Sequence, residues 1–138
     1  MTDILQTDWT KSLARGAAPD AAALRDHLLA IHRDYPGFTE SCAGGCRDAQ
    51  GRTSYAWLAE AVEADRHRVL LDIACGSGAL LQHCHATLPP TLRMIGVDMS
   101  PDELALAADR LPAGRAELQR GWAQSLDFLE DGVVDVAL

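Results

Sequence analysis

A short apolar segment followed at once by a glycine turn is the feature that most constrains the fold of this chain. Residues 69–73 carry four aliphatic side chains and one acid, and Gly76 and Gly78 follow closely. The apolar segment predicts a buried strand. The two glycines allow a tight turn and a close approach to a ligand, and residues 79–85 continue as a predicted helix. The pattern therefore predicts the strand, turn and helix of a parallel α/β sheet.

The same alternation continues along the sequence. Further strands are predicted at residues 93–97, 116–120 and 133–138, with a short helical turn at residues 126–129. A helix is predicted to begin at Ser100, because a serine cap, a proline at the first position and acids in the first turn all favour a helix start. This order predicts an α/β fold, a Rossmann-like parallel sheet with flanking helices and right-handed crossovers.

Helices are also predicted ahead of the sheet. Residues 1–19 are expected to form a mobile lead. A helix follows a cap at Asp20 and ends at the Pro-Gly pair of residues 36–37. Residues 38–52, rich in Gly, Ser and Cys, predict a loop. A second helix, capped by Thr53 or Ser54, is expected to run to about Ala64.

Two acids flank the glycine turn and indicate a nucleoside ligand. Asp98 falls twenty residues after Gly78, at the end of the next predicted strand, a spacing that suits a carboxylate bound to both ribose hydroxyls. Asp72 precedes the turn and would lie unfavourably close to the phosphates of a dinucleotide. The third glycine of the dinucleotide pattern is also replaced, by Leu81. S-adenosylmethionine, which has an ammonium and a sulfonium but no phosphate, fits these charges better.

The motifs together resemble one family. Residues 69–78 are similar to the first motif of the class I S-adenosylmethionine-dependent methyltransferases, and residues 95–100 to their second-strand motif. Residues 121–126 and 131–136 resemble their third-strand and fourth-strand motifs. The resemblance covers about residues 53–138, which it implies are the cofactor-binding domain. Residues 1–52 would then form an N-terminal helical or lid segment.

The resemblance also implies a role for each motif residue. Asp72 and the turn would hold the methionine end of the cofactor, Asp98 the ribose, and Met99 the adenine. Ala123 would offer its backbone N–H to the adenine. Arg52 and Tyr55 are either closing residues, with Arg52 on the methionine carboxylate, or a solvated arginine and a packed tyrosine. The implied cofactor-binding residues are Arg52, Tyr55, Asp72, Ala74, Cys75, Gly76, Gly78, Asp98, Met99, Ala123 and Gln124.

The sequence departs from the family pattern in three ways. Ala74 stands where the family usually has glycine, and its methyl group crowds the methionyl end. Trp122 stands where the family often has an aspartate that accepts from the adenine amino group, although an indole can stack instead. The family has three more strands, so the sheet is expected to be truncated after the fourth strand. Residues 133–138 would then be an exposed edge, which predicts a homodimer or a partner chain there.

Composition excludes several other partners. The formal net charge is −8, and no Lys/Arg cluster is visible, so a nucleic acid or an anionic membrane is not expected as a partner. Residues 1–5 lack a basic leader and no apolar run has the length of a membrane span, which predicts a cytoplasmic protein. Cys42 and Cys46 invite a metal site, but zinc usually needs four ligands, so no metal is expected.

These features predict a methyltransferase that acts on a small molecule, with no catalytic residue assigned. A histidine of the first helix region, His27 or His32, is either a general base or a surface residue. Three alternatives stay open: a non-catalytic cofactor-binding subunit, a repurposed fold that catalyses a reaction such as cyclisation, and a fragment of a longer enzyme.

Overall fold

The computed structural model describes residues 6–18 and 20–138 as a parallel sheet covered by helices. The helices are α1 Asp8–Ala14, α2 Ala21–Asp34, α3 Phe38–Ala43, α4 Ser54–Ala59, α5 Ala79–Thr87 and α6 Pro101–Arg110, and the strands are β1 Val69–Ile73, β2 Arg93–Asp98, β3 Glu117–Arg120 and β4 Val136–Ala137. The four strands lie in the order β3-β2-β1-β4, and every pair is parallel. The predicted α/β class and sheet are confirmed.

The strand register brings the functional acids to one edge of the sheet. Leu70 of β1 pairs with Met94 of β2, and Asp72 pairs with Gly96. Asp98 therefore lies one pleat beyond Asp72, at the carboxyl end of the neighbouring strand. In open parallel sheets this edge is where ligands bind.

Apolar side chains cover both faces of the sheet. On one face Leu70 and Met94 pack with Leu81 and Cys84 of α5, and all four are almost completely buried. Burial of each large aliphatic side chain of this kind stabilises the folded state by roughly 1.5–3 kcal/mol. Gly96 permits this packing, because a Cβ there would lie 2.8 Å from Cδ1 of Leu81. The opposite face carries a smaller cluster of Leu71, Ile95 and Val97, against which Leu126, Leu129 and Val134 pack.

The helix starts follow from short polar side chains. Asp20 accepts from the backbone N–H of Ala23 at 2.7 Å, and Thr53 accepts from Ala56 at 3.0 Å. Ser100 accepts from the N–H of Glu103. These side chains satisfy backbone donors that have no partner within the helix. The predicted caps at all three helices are confirmed.

Two predictions ahead of the sheet are wrong. Residues 8–14, expected in a mobile lead, form α1, while residues 1–5 and 19 lie outside the described part of the chain. Thr7 caps α1 and its hydroxyl bonds Nδ1 of the buried His27 at 2.9 Å. The Trp9 ring stacks on the same imidazole. Residues 38–43, expected in a loop, form α3, which begins where Gly37 adopts a positive φ of 72°.

Two other elements, α4 and β4, are shorter than expected, whereas the short turn predicted at residues 126–129 is present. Helix α4 ends at Ala59 rather than about Ala64. Residues 126–129 form one hydrogen-bonded turn, in which the N–H of Leu129 donates to Leu126. Strand β4 has two residues, although Leu138 still exchanges backbone bonds with β1. Among the described helices, none has both the length and the apolar character needed to span a membrane.

Candidate functional site

A cleft of about 760 Å³ opens at the carboxyl edge of the sheet. Its floor and one wall are strand ends and turns, and its other wall is one side of α2 together with Thr39 of α3. The sheet side contributes Ala74, Gly76, Val97, Asp98, Met99 and residues 121–125, and the helical side contributes Ala21, Ala22, Leu24, Arg25, Leu28, His32 and Thr39. A cleft of this size between an apolar helix and polar strand ends suits a small organic ligand.

Asp98 is fixed in the wall of the cleft by two backbone donors. Its Oδ2 accepts from the N–H of Gly76 at 2.8 Å, and its Oδ1 accepts from the N–H of Ser100 at 2.8 Å. Only 7% of the residue is exposed. Each carboxylate oxygen keeps a lone pair beyond these bonds, so Asp98 can still accept from a pair of ligand hydroxyls.

Asp72 is the more buried of the two acids and is incompletely bonded. It is 5% exposed, and its Oδ2 has no hydrogen-bond partner within the part of the chain that the structure describes. Burial, and then the charge of Asp98, raise the pKa of Asp72 to about 7. An ionised carboxylate without a partner is costly in such a place, which indicates a site that favours a cation.

The turn between β1 and α5 has a left-handed backbone. Ala74 has a φ of 61°, a strained value for any residue with a Cβ. Gly78 has a φ of 77°, and a Cβ there would lie 2.9 Å from Cβ of Ala107 on α6. The glycine therefore permits both the turn and the close approach of α6.

Cys75 lies inside the same turn and is a structural filler. Its N–H donates to the carbonyl of Val97, and the side chain belongs to the core. Burial raises the pKa of the thiol well above its ordinary value, which keeps it protonated and unreactive.

Two carboxylates, one buried and one partly exposed, join the N-terminal helices to the sheet domain. Glu103 of α6 is 1% exposed and accepts from Nδ1 of His32 at 3.0 Å and from the N–H of Gly37 at 2.9 Å. Sequence patterns did not indicate this role, because an acid in the first turn of a helix is usually a solvated partner of the helix dipole. The helical periodicity of α2 could not indicate that His32 would face α6.

Glu40 makes the second connection, from α3. Its Oε2 accepts from the hydroxyl of Ser77 at 2.9 Å and from Nη2 of Arg110 at 2.6 Å. The Arg110 guanidinium, more than any other group, holds the pKa of this carboxyl below its usual value. Helix α3 therefore contacts the glycine turn directly.

The end of the cleft beyond Asp98 is lined by Met99 and residues 121–125. Ala123 and Gln124 are exposed there. The guanidinium of Arg25, on α2, lies 5.7 Å from the ring centre of Trp122. The two walls of the cleft therefore meet at this pair.

Arg52 and Tyr55 do not line the cleft. Nε of Arg52 donates to Asp48 at 2.7 Å, and the same guanidinium bonds Glu60, so its charge is paired with acids of its own segment. Tyr55 is partly buried against the core, and burial, followed by the charge of Glu40, raises the pKa of its hydroxyl. Their contacts with a cofactor stay predictions that require both side chains to rearrange.

The remaining residues fall into two groups. Ala74, Gly76, Asp98, Met99, Ala123 and Gln124 line the cleft, whereas Asp72, Cys75 and Gly78 support it from within. The exposed thiols of Cys42 and Cys46 belong to neither group. No three potential metal ligands converge within residues 6–18 and 20–138. The expectation that the chain binds no metal stays a prediction.

Comparison with known proteins identifies this architecture. A family model described as a methyltransferase domain matches residues 70–138, half of the chain. No curated protein sequence matches the present chain. Among solved structures, one similar chain comes from the complex of a methyltransferase activator and a methyltransferase of Haloferax volcanii. It is 26% identical with a TM-score of 0.51, and the match covers 60% of this chain and 36% of that one.

Two further structures share the fold. An S-adenosylmethionine-dependent methyltransferase from Thiobacillus denitrificans, solved with S-adenosyl-L-homocysteine, is 23% identical with a TM-score of 0.50, and the match covers 74% of this chain and 42% of that one. One from Mesorhizobium loti is 22% identical with a TM-score of 0.50, covering 61% and 38%. The present chain thus spans about 36–42% of the length of these proteins. It belongs to the methyltransferase domain family and has the Rossmann-like fold of S-adenosylmethionine-dependent methyltransferases.

Proposed function

We propose that this chain binds S-adenosylmethionine in the cleft beside Asp98 and takes part in methyl transfer to a small molecule. The pair of buried acids at the ends of β1 and β2 carries the proposal. Asp98 is held by backbone donors in an orientation that leaves acceptor capacity, and Asp72 has an oxygen without a partner among the described residues. One acid suits ribose hydroxyls, and the other suits a cation.

The cofactor fits this arrangement on chemical grounds. Asp72 and the backbone from Ala74 to Gly78 would hold the positively charged methionine end. Asp98 would accept from the ribose, and Met99, with the backbone of Ala123, would hold the base. A dinucleotide fits less well, because it would place negatively charged phosphates beside the carboxylate of Asp72.

Bound S-adenosylmethionine supplies an electrophilic methyl group. The residues of this chain contribute binding, orientation and the exclusion of water, which are large effects when two reactants must align. Helix α2 supplies the apolar wall of the cleft through Leu24 and Leu28. His32 lies in the same wall with its Nδ1 bonded to Glu103, which leaves Nε2 as the ring nitrogen available to a ligand.

A small-molecule acceptor is favoured by the charge of the chain and the volume of the cleft. The net charge of −8 opposes a polyanionic acceptor, and a cleft of about 760 Å³ has the size of a site for small organic ligands. Methyl groups can be traced from labelled S-adenosylmethionine in a cell extract. Label in the low-mass fraction supports the proposal, whereas label confined to protein or RNA contradicts it.

A partner at the edge of the sheet remains part of the proposal. In the order β3-β2-β1-β4, strand β4 has β1 on one side only, so residues 133–138 offer a free edge for a second copy or a partner chain. The Haloferax volcanii methyltransferase was solved in a complex with an activator, which supports a protein partner for this chain. A cytoplasmic location also stays a prediction, which fluorescence microscopy of a tagged protein would test.

A further inference from the structure

One side of α2 carries two leucines and a histidine that line the cleft. Leu24, Leu28 and His32 follow one another at intervals of four residues, so they lie on the same side of the helix. The side chain of His32 is 15% exposed. Its Nδ1 lies 3.0 Å from Oε1 of Glu103, and its Nε2 bonds no group within the described part of the chain. The ring is therefore held at one nitrogen and available at the other.

The contacts of Glu103 determine where the ring carries its proton. Oε1 of Glu103 accepts from the backbone N–H of Gly37 at 2.9 Å, so this oxygen acts as an acceptor. Nδ1 of His32 is then the donor in its bond to the same oxygen. In a neutral imidazole with its proton on Nδ1, Nε2 has a lone pair that can take up a proton.

The titratable groups of the cleft differ in their ability to take a proton from a ligand. Among the described residues that line it, these groups are Arg25, His32 and Asp98. An arginine stays protonated, and both oxygens of Asp98 already accept from backbone N–H groups. An imidazole exchanges protons near neutral pH, where general base catalysis is most efficient. His32 is therefore the best suited of the three.

The imidazole is also connected to the glycine turn between β1 and α5. Glu103 lies beside this turn, since a Cβ at Gly76 would be 3.8 Å from its Oε2. The same carboxylate therefore contacts His32 and approaches the turn that would hold the methionine end of the cofactor. This arrangement favours a role for the imidazole close to the transferred methyl group rather than at the base.

We propose that His32 is the general base for methyl transfer to a hydroxyl group, and that Glu103 is the positioning residue that holds its ring. The inference rests on the proposed function and adds the class of acceptor. The acceptor is a small hydroxyl compound such as a phenol, with its apolar part against Leu24 and Leu28. A hydroxyl needs a base because its oxygen is a weak nucleophile while it keeps its proton.

The step balances in atoms and electrons. The acceptor oxygen forms a bond to the methyl carbon, the bond from this carbon to the sulfonium sulfur breaks, and its electron pair stays on sulfur. The hydroxyl proton passes to Nε2 of His32. The carboxylate of Glu103 offsets the charge of the imidazolium until the proton leaves to water.

Nitrogen NMR of the imidazole tests the ring in the wild-type full chain without an acceptor. We expect His32 at pH 8 to be neutral, with its proton on Nδ1. A ring that carries a proton on Nε2 at this pH, alone or together with Nδ1, overturns the proposal, because Nε2 would then have no lone pair.

His32→Asn separates catalysis from binding, because the amide can still donate to Glu103 but cannot take up a proton. Calorimetry should give a dissociation constant for S-adenosyl-L-homocysteine within about threefold of wild type. Transfer of labelled methyl groups to the low-mass fraction of a cell extract should fall by about 10²–10⁴-fold, and the wild-type product should be a methyl ether. His83→Asn, on α5 and outside the cleft, is the matched control and should behave as wild type.

Glu103→Gln tests the positioning residue, because its amide oxygen can still accept from Nδ1 while the charge is lost. We expect the same ring tautomer, unchanged affinity and about tenfold slower transfer. Undiminished transfer in either folded variant, an equal loss of cofactor affinity in His32→Asn, or an N-methyl or S-methyl product overturns the inference alone. Absence of transfer by the wild type contradicts the proposed function, and the inference falls with it.

Discussion

Asp72 and Asp98 end adjacent parallel strands, and the charge of Asp98 adds to burial in raising the pKa of Asp72 to about 7. One carboxylate is held by two backbone donors, and the other has an oxygen with no partner among the described residues. The pair is therefore costly in the free protein and favourable when a cation binds. This relationship connects the stability of the fold with its ligand.

The first prediction is that Asp72→Asn stabilises the free protein at pH 8. An acid whose folded pKa of about 7 lies above its usual 3.8 destabilises the fold progressively as pH rises between those values, and fully above 7. Removing the charge should raise the free energy of unfolding by on the order of 3 kcal/mol at pH 8, and by much less at pH 5. Urea unfolding at the two pH values measures the difference.

A surface acid provides the control for this prediction. Asp135 accepts from the backbone N–H groups of Arg68 and Val69, and these bonds lower its pKa. Its contribution to stability is present at neutral pH and lost in acid, so Asp135→Asn should destabilise at pH 8. An Asp72→Asn variant that is less stable than wild type at pH 8 would show that Asp72 is already paired in the free protein.

The second prediction concerns the strained backbone of Ala74. The left-handed conformation costs alanine about 1–2 kcal/mol, whereas glycine loses about 0.5–1 kcal/mol more chain entropy on folding. Ala74→Gly should therefore raise the free energy of unfolding slightly, by up to about 1 kcal/mol. Ala74→Val should lower it, since a β-branched side chain tolerates this φ poorly. Equal destabilisation by both substitutions would mean that the methyl group of Ala74 packs usefully.

The third prediction separates steric clash from backbone strain at Gly78, with Gly114 as the comparison. Gly78 and Gly114 both have φ values near 75°, but a Cβ at Gly114 meets nothing within 4 Å. Gly114→Ala should cost about 1 kcal/mol from strain alone. Gly78→Ala adds the 2.9 Å contact with Ala107 and should cost about 2–4 kcal/mol. Similar unfolding midpoints for the two variants would contradict the close packing of α6 against the turn.

The fourth prediction addresses the edge of the sheet. When these 138 residues are expressed alone, we expect a dimer, or poor solubility that a partner chain relieves, because β4 has a free edge. Size-exclusion chromatography with light scattering reports the mass in solution. A soluble monomer at micromolar concentration, with fast amide exchange at Val136 and Ala137, would contradict pairing through residues 133–138.

Local rules were sufficient to predict most of the sheet domain. The apolar segment of β1, the caps at Thr53 and Ser100, and the acid at the end of β2 are each determined by neighbouring residues, and the structure has them where expected. The N-terminal helices were predicted less well. Helix α1 depends on the contact of Thr7 with His27, twenty residues away, and α3 on the bonds of Glu40 to Ser77 and Arg110.

The candidate site divides in the same way. The turn and Asp98 were predictable because their spacing along the chain fixes their positions. The α2 wall and the bonds of Glu103 were not predictable, because they depend on how one helix packs against another. Local sequence patterns do not determine that packing. The position of Arg52 away from the cleft has a local origin instead, because its guanidinium pairs with Asp48 and Glu60, four and eight residues away.

The most direct test of the cofactor site is titration calorimetry of S-adenosyl-L-homocysteine against wild type and Asp98→Ala. We expect binding by the wild type, and a loss of roughly 1.5–3 kcal/mol in the variant, the scale of a hydrogen bond to a charged group. Asp102→Ala, on the exposed first turn of α6, is the control and should bind as wild type does. No heat at millimolar ligand with the folded wild-type protein, or an unchanged dissociation constant in Asp98→Ala, would contradict the proposed site.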